Sequence, residues 1–141
     1  MNLPHTYPIL LVDSHAISPS GEMVKAEYTI PMDHPVMEGH FPHIKIWPGV
    51  YMIEGMNQTA GLHALNTAKE QFGDVDLSKI VTFVTSIDKV KFRQPVFPGD
   101  KLTYTAELIA KKRSHLFYEC VTYRDAVRVS QATIGLTAKE L

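Results

Sequence analysis

Two side chains suited to acid–base chemistry lie close together in the sequence, Glu54 and His40. Glu54 follows Ile53 and precedes a run of small residues that includes Gly61 and Ala64. At about 100° of rotation per residue, a helix places Glu54 on the same stripe as these residues, which we expect to face the core. Burial disfavours the charged form of a carboxyl group, so we expect its pKa to rise and to suit a general acid. The alternative is that Glu54 lies at the edge of the stripe and reaches water.

His40 lies within the segment 39–42, whose sequence is GHFP. Histidine titrates near neutral pH and is the most common general base. Phe41 and Pro42 would fix this loop and shield the ring from water. The chain has seven histidines, so a structural or surface role is the competing interpretation.

The predicted start of the helix offers a third feature. Trp47 precedes Pro48, so no Ser, Thr, Asp or Asn side chain is in position to cap the first turn. The unpaired backbone amides of Gly49 and Val50 could bind a ligand oxygen. Water or a neighbouring carbonyl group could satisfy them equally well.

The remaining motifs predict no further site. No His, Cys, Asp or Glu spacing matches a compact metal pattern, so we expect no metal, and no phosphate-binding glycine loop or nucleophile elbow is present. The single cysteine, Cys120, excludes an internal disulfide. It lies in an alternating stretch, where we expect a small buried hydrophobe.

A long helix and several strands are expected to position these residues. Residues 48–72 contain no proline after Pro48 and predict one helix that stops at Gly73. Alternating apolar and polar residues predict strands at about 22–30, 80–87, 90–93, 102–110, 117–123 and 127–137. Turns are expected at Pro98-Gly99-Asp100 and Arg124-Asp125. The pattern indicates an α+β fold, with an antiparallel sheet of about five or six strands around one long central helix.

Length and charge narrow the possible classes of protein. The 141 residues fit a single domain, residues 1–141. The net charge of -1 argues against nucleic acid as a partner. No apolar run suits a membrane span or a signal peptide, so we expect no membrane insertion and a cytoplasmic location.

Several motifs together resemble those of a known family. They occupy residues 3–13 (LPHTYPILLVD), 39–42 (GHFP), 48–50 (PGV), 52–58 (MIEGMNQ), 88–96 (DKVKFRQPV) and 98–100 (PGD). In this order and spacing, they resemble the (3R)-hydroxyacyl-acyl carrier protein dehydratases of bacterial fatty-acid synthesis, of the FabZ type. The resemblance covers nearly the whole chain.

The resemblance implies a hot-dog fold and a reaction. In the family, two subunits pair, and each active site takes its histidine from one subunit and its carboxylate from the other. By position these residues are His40, as the base that removes the C2 proton, and Glu54, as the acid that protonates the departing hydroxyl directly or through water. Glutamate at position 54, where the dehydratase/isomerase branch has aspartate, favours dehydration without isomerisation.

The resemblance also implies how the substrate is bound and delivered. We expect substrate contacts from Gly49, Val50, Phe41, Trp47 and Gln58, with the Gly49 amide on the thioester carbonyl oxygen. The acyl chain arrives on the phosphopantetheine arm of acyl carrier protein, and no metal or redox cofactor is needed. A homodimer is implied, and a trimer of dimers remains open.

The chain also departs from the family pattern. Residues 43–45 (HIK) replace the usual Gly-Arg-Pro, which affects the expected docking of the carrier protein. Trp47, Tyr51 and Asn57 could narrow the acyl tunnel or make it more polar, as in a specialised dehydratase for aryl-polyene or polyunsaturated lipid synthesis. Two alternatives remain: a hot-dog acyl thioesterase, and a non-catalytic acyl-binding paralogue.

Overall fold

A long helix packs against one antiparallel sheet. The computed structural model describes residues 3–73 and 76–140. Within these ranges six strands follow the sheet order β1-β2-β4-β5-β6-β3, and every neighbouring pair is antiparallel. The strands are β1 (Ser14–Ile17), β2 (Met23–Thr29), β3 (Ile80–Phe92), β4 (Lys101–Lys112), β5 (His115–Arg124) and β6 (Val127–Glu140). The predicted α+β hot-dog architecture is confirmed.

The helix, α1, runs over Gly49–Phe72 and has 24 residues. It begins directly after Pro48 and ends at Gly73, as the sequence predicts. Gly73 has a φ of 66° and its amide donates to the carbonyl of Lys69, which is a common way to end a helix. Short 3₁₀ helices cover Pro35–Glu38 and Leu77–Lys79. In the described part of the chain, no helix has the length and hydropathy needed to cross a bilayer.

The strands agree with the predictions with two differences. Residues 80–87 and 90–93 belong to one continuous strand, β3, rather than to two. β1 was not predicted, because three of its four residues are exposed and its sequence, SHAI, has no alternation. β1 and β3 form the two edges of the sheet.

The middle of α1 is buried on every side rather than along one stripe. Residues 55–65 are all buried, including the polar side chains of Asn57, Gln58, Thr59 and His63. The sheet covers one side, and the N-terminal segment covers another through the buried residues Leu11 and Val12. Helical spacing puts Val50 on the same stripe as Glu54, which predicts an inward-facing side chain, but that side chain is 64% exposed at the first turn.

Close approach of the helix to the sheet depends on Gly55. A Cβ atom at this position would overlap the ring and hydroxyl of Tyr104 on β4, which is fully buried. Gly61, two turns later, has more room, because the nearest atom to a Cβ there would be Thr82 Oγ1 at 3.5 Å. The sheet therefore approaches α1 more closely at Gly55 than at Gly61.

A buried histidine ties the helix to β5 and to the loop before β2. His63 Nε2 lies 2.8 Å from the Gly21 carbonyl oxygen, and its Nδ1 lies 2.6 Å from the Tyr118 hydroxyl. Because a carbonyl only accepts, Nε2 carries the hydrogen and Nδ1 accepts from Tyr118. Burial lowers the pKa of His63, against smaller opposing effects from Gly21, Glu70 and Glu22.

Candidate active site

The Glu54 carboxylate is held by three donors from two parts of the chain. Its Oε1 accepts from Gln58 Nε2 at 3.0 Å, and His5 Nε2 lies 3.4 Å from the same oxygen. Its Oε2 accepts from Asn57 Nδ2 at 3.3 Å. Glu54 and its two helical neighbours come from α1, whereas His5 comes from the N-terminal segment. The carboxylate is thus fixed at both oxygens.

These contacts reverse the expected pKa shift of Glu54. Burial alone raises the pKa of this carboxyl, as expected from its position on the helix. Hydrogen bonds from His5, Gln58 and Asn57 stabilise the charged form and together outweigh burial, so the pKa lies below the ordinary glutamate value. The prediction of a raised pKa is wrong, because the three donors could not be seen from helical spacing.

Gln58 holds the site together and has no surface left for a substrate. Its side chain is fully buried. Oε1 accepts from the Leu11 amide at 2.8 Å, and Nε2 donates to the Ile9 carbonyl at 2.7 Å as well as to Glu54. Its expected role in substrate binding is therefore corrected: Gln58 anchors the N-terminal segment to α1 and orients the carboxylate.

The first turn of α1 presents unpaired amides. Pro48 is the N-cap and supplies no side-chain hydrogen bond. Among the described residues, the amides of Gly49 and Val50 have no hydrogen-bond acceptor. The Phe92 ring lies against Gly49, where a Cβ atom would come within 2.9 Å of it. The partial positive charge of a helix N-terminus is thus available to an oxygen that gains negative charge.

The loop that carries His40 fixes the tautomer of its ring. His40 Nδ1 lies 2.7 Å from the Ile46 carbonyl oxygen, which can only accept a hydrogen bond. Nδ1 therefore carries the hydrogen in the neutral ring, and Nε2 keeps a free lone pair. Backbone bonds between Phe41 and Ile44 and between Ile46 and His40 close the loop, and the Phe41 ring stacks on the imidazole with centroids 4.2 Å apart. This arrangement suits a base that acts through Nε2.

His40 and Glu54 do not meet within one chain. In residues 3–73 and 76–140, no hydrogen bond or ion pair joins them. Each is nevertheless fixed by its own local contacts, the imidazole by its loop and the carboxylate by α1.

Trp47 is part of the core rather than of a substrate-binding wall. Its side chain is 1% exposed. The indole packs edge-on against the rings of His34 and Tyr51, at 5.0 and 5.1 Å, and lies 5.9 Å from the Tyr28 ring. The expected contact between Trp47 and the substrate is corrected, because an aromatic cluster surrounds the buried indole. Phe41 and Val50 are exposed and remain free to contact a ligand.

Comparison with known proteins identifies the family. Residues 3–133 match the model of the FabA-like domain. The chain belongs to the FabA-like family. Over 94% of its length, this FabA-like chain is 43% identical to the 3-hydroxyacyl-[acyl-carrier-protein] dehydratase FabZ of a Nitratiruptor species, of which it covers 88%. It is 40% identical to the FabZ of Campylobacter fetus subsp. fetus, with the same coverage of both chains.

Solved structures show the same fold at low sequence identity. A chain of the dehydratase heterocomplex ApeI:P from Xenorhabdus doucetiae superimposes with a TM-score of 0.77 and 17% identity, covering 99% of this FabA-like chain and 89% of that chain. The fluoroacetyl-CoA thioesterase FlK superimposes with a TM-score of 0.65 and 15% identity, covering 92% and 91%. Both likenesses concern the fold alone.

The contacts of two residues with Glu54 were not predicted: His5 had no assigned role, and Asn57 was expected only to shape the acyl tunnel. His5 is distant from Glu54 in the sequence, and only the fold of the N-terminal segment brings it to the carboxylate. Asn57 lies one helical turn after Glu54, so its spacing was a usable signal.

Cys120 is buried as predicted, and burial raises the pKa of its thiol to about 12. In the described residues, no three His, Cys, Asp or Glu side chains group closely enough to hold a metal ion.

Proposed function

We propose that this protein dehydrates (3R)-hydroxyacyl thioesters of acyl carrier protein to trans-2-enoyl thioesters, with His40 as the base and Glu54 as the acid. The observation that carries the proposal is the fixed Glu54 carboxylate on the uncapped helix α1. Membership of the FabA-like family and the similarity to FabZ dehydratases support the same reaction.

The proposed elimination moves two protons. His40 Nε2 takes a proton from C2, and the electrons of that C–H bond form the C2–C3 double bond. The C3–O bond breaks, and Glu54 gives its proton to the departing oxygen, so that water leaves. Negative charge that develops on the thioester oxygen is stabilised by the Gly49 amide and the helix N-terminus. Only protons and a water molecule are exchanged, so there is no net oxidation or reduction and the reaction requires no redox cofactor.

The lowered pKa of Glu54 affects how this acid works. A carboxylic acid with a low pKa is a strong proton donor, although it is protonated in only a small fraction of the free enzyme. In the active enzyme, His40 and Glu54 together carry one proton. Dehydration starts from the form in which that proton is on Glu54 and His40 is neutral. Apposition of the two side chains across a subunit interface would allow this exchange.

We further propose that the active unit is a homodimer. β3 is an edge strand, so one row of its backbone groups is unpaired in the sheet. It also exposes Phe83, Val84 and Ile87, and such an edge favours pairing with another chain. The absence of a His40–Glu54 contact within the described chain agrees with a site built from two subunits.

Acyl carrier protein is the proposed macromolecular partner. Lys111 and Lys112 at the end of β4 and Arg113 in the turn before β5 are exposed. A basic turn of this kind provides a surface for an acidic carrier protein, chiefly by steering its approach.

The reaction is tested by absorbance near 260–270 nm with a crotonyl thioester in the hydration direction, where loss of the enoyl signal reports activity. We expect turnover by the wild type and none by His40→Ala or Glu54→Gln, with circular dichroism showing that both variants fold. Release of free thiol without loss of the enoyl group would instead indicate a thioesterase. Binding of acyl thioesters without turnover would indicate an acyl-binding paralogue.

A mixing experiment tests whether each site takes residues from two subunits. We expect His40→Ala and Glu54→Gln to be inactive alone and to regain activity when the subunits are exchanged. A mixed dimer has one site with both residues intact, so an equal mixture should recover about a quarter of wild-type activity. Exchange without any recovery, confirmed by native mass spectrometry of the mixed dimers, would contradict a shared site.

A further inference from the structure

Asn57 is a buried amide whose described contact is with Glu54. Its side chain is 8% exposed, and its Nδ2 donates to Glu54 Oε2 at 3.3 Å. Its Oδ1 is buried without a hydrogen-bond partner in the described residues. Burial of an amide with half of its hydrogen-bonding capacity unused is unfavourable. The fold gains little from this side chain, which points to a role in the contact with Glu54.

The two oxygens of Glu54 are not equivalent. Oε1 is approached by two donors, Gln58 and His5, and each carboxylate oxygen has about two lone-pair sites. Oε2 has a single described donor, Asn57. One acceptor site on Oε2 therefore remains for a substrate group, and Oε1 is fully used in holding the side chain.

We propose that Asn57 is a positioning residue that fixes Oε2 of Glu54 as the oxygen that exchanges a proton with the C3 hydroxyl of the substrate. This inference rests on the proposed acid role of Glu54. Without the amide of Asn57, the carboxylate is anchored at Oε1 alone and Oε2 can rotate away from the reacting bond.

Two other titratable groups lie near Glu54. His5 from the N-terminal segment lowers the pKa of Glu54. Tyr104 from β4 stays uncharged in acid, because its own pKa is raised by burial and, in smaller part, by Tyr28, Asp13 and Glu54. Neither is altered by a substitution at Asn57. A change in the pH dependence of an Asn57 variant can therefore be assigned to the lost contact with Oε2.

The test compares Asn57→Ala with Asn66→Ala. Asn66 Nδ2 donates to Glu70 Oε1 at 3.3 Å on the same helix, an exposed contact of the same type and length that is remote from the site. We expect Asn57→Ala to lower kcat by about tenfold, with KM changed by less than about twofold, because a hydrogen bond to a charged group is lost. The acid limb of its pH profile should move up by roughly half to one unit. Asn66→Ala should match the wild type.

An isosteric variant and a direct titration separate positioning from packing. Asn57→Asp keeps the size of the side chain but replaces the donor with a second carboxylate, so the acid limb should move further up than in Asn57→Ala. The carboxyl ¹³C signal of Glu54, assigned by its loss in Glu54→Gln, should titrate at higher pH in both Asn57 variants than in the wild type. This measurement does not depend on turnover.

Two outcomes would overturn the inference. The first is an Asn57→Ala enzyme whose kcat, KM and Glu54 titration match those of Asn66→Ala. The second is a raised KM at unchanged kcat, which would make Asn57 a substrate-binding residue. Retention of activity by Glu54→Gln would be a different failure, because it would remove the proposed role of Glu54 itself.

Discussion

At the scale of single residues, Glu54 determines how the proposed reaction depends on pH. Donors to its carboxylate lower its pKa, so the free enzyme gains its second proton only in acid. When both His40 and Glu54 are protonated, neither hydration nor dehydration can proceed, because each direction needs one protonated group and one free base. On the acid side, we expect kcat/KM for hydration to stay constant down to about pH 4.3, the ordinary glutamate value, and to fall below it, with circular dichroism as the check on folding. An acid limb at about pH 6 or above would mean that burial dominates after all.

Gly55 provides a second prediction at this scale. Gly55→Ala would force its methyl group into the fully buried ring of Tyr104 and should destabilise the protein by about 1–3 kcal/mol. Gly61→Ala is the matched control, because a Cβ atom at position 61 would lie at an ordinary van der Waals distance from its nearest neighbour, Thr82 Oγ1. It should be neutral or stabilising by about 0.5–1 kcal/mol. Urea unfolding of the two variants measures both values, and equal stabilities would refute the tight contact.

The side chains at the site were predictable only in part. Glu54 and His40 stood out because of their residue types and the local pattern around them. The lowered pKa of Glu54 could not be predicted from the sequence. It depends on His5, which lies far away in the sequence, and on the side-chain orientations of Asn57 and Gln58. The substrate contact expected of Trp47 rested on the family resemblance. Its burial could not be predicted, because the rings that pack around it come from β2, the following loop and α1.

At the scale of secondary structure, His63 links α1 to β5 in a pH-dependent way. Its pKa is lowered by burial in the folded state, so between that value and about 6.5 the unfolded chain binds a proton that the folded chain does not. Stability should therefore decrease as the pH falls through this window, by at most about 1.4 kcal/mol per pH unit.

The double variant His63→Leu/Tyr118→Phe tests this link. Replacing His63 and Tyr118 together leaves neither of these two side chains unpaired, but the Gly21 carbonyl loses its donor, so stability at about pH 7.5 should fall by about 0.5–1.5 kcal/mol. The His63 contribution to the loss of stability in acid should disappear. Urea unfolding at several pH values between about 5 and 7.5 measures the slope, and an unchanged slope in the double variant would show that another group titrates.

The elements themselves followed from local chemistry. Pro48 and Gly73 bounded the helix, and alternation marked β2, β4, β5 and β6. Alternation also found most of β3 but split it near Lys89, which has a φ of 52° and lies within an irregular pairing with β6. Burial of α1 on all sides could not be predicted, because helical periodicity indicates only one buried face. The N-terminal segment buries a second face.

At the scale of the whole molecule, activity should depend on the β3 edge. The double variant Val84→Lys/Ile87→Lys places two charges on this edge, which should prevent pairing with a second chain. We expect a monomer by sedimentation analysis and a loss of turnover, since the proposed site needs two subunits. Ile109→Lys, at an exposed position on β4, is the control and should stay dimeric and active. An active monomer would contradict the shared site.

The contact between Gly55 and Tyr104 also constrains how this protein can diverge. A side chain at position 55 and a full ring at position 104 exclude each other, so neither position can change freely while the other is kept. We expect the residues at positions 55 and 104 to vary together among homologues. Among homologues, glycine at 55 should accompany tyrosine at 104, and alanine at 55 should accompany a thinner residue. A lineage that exchanges one pair for the other would pass through a less stable ancestor, or would change both codons together.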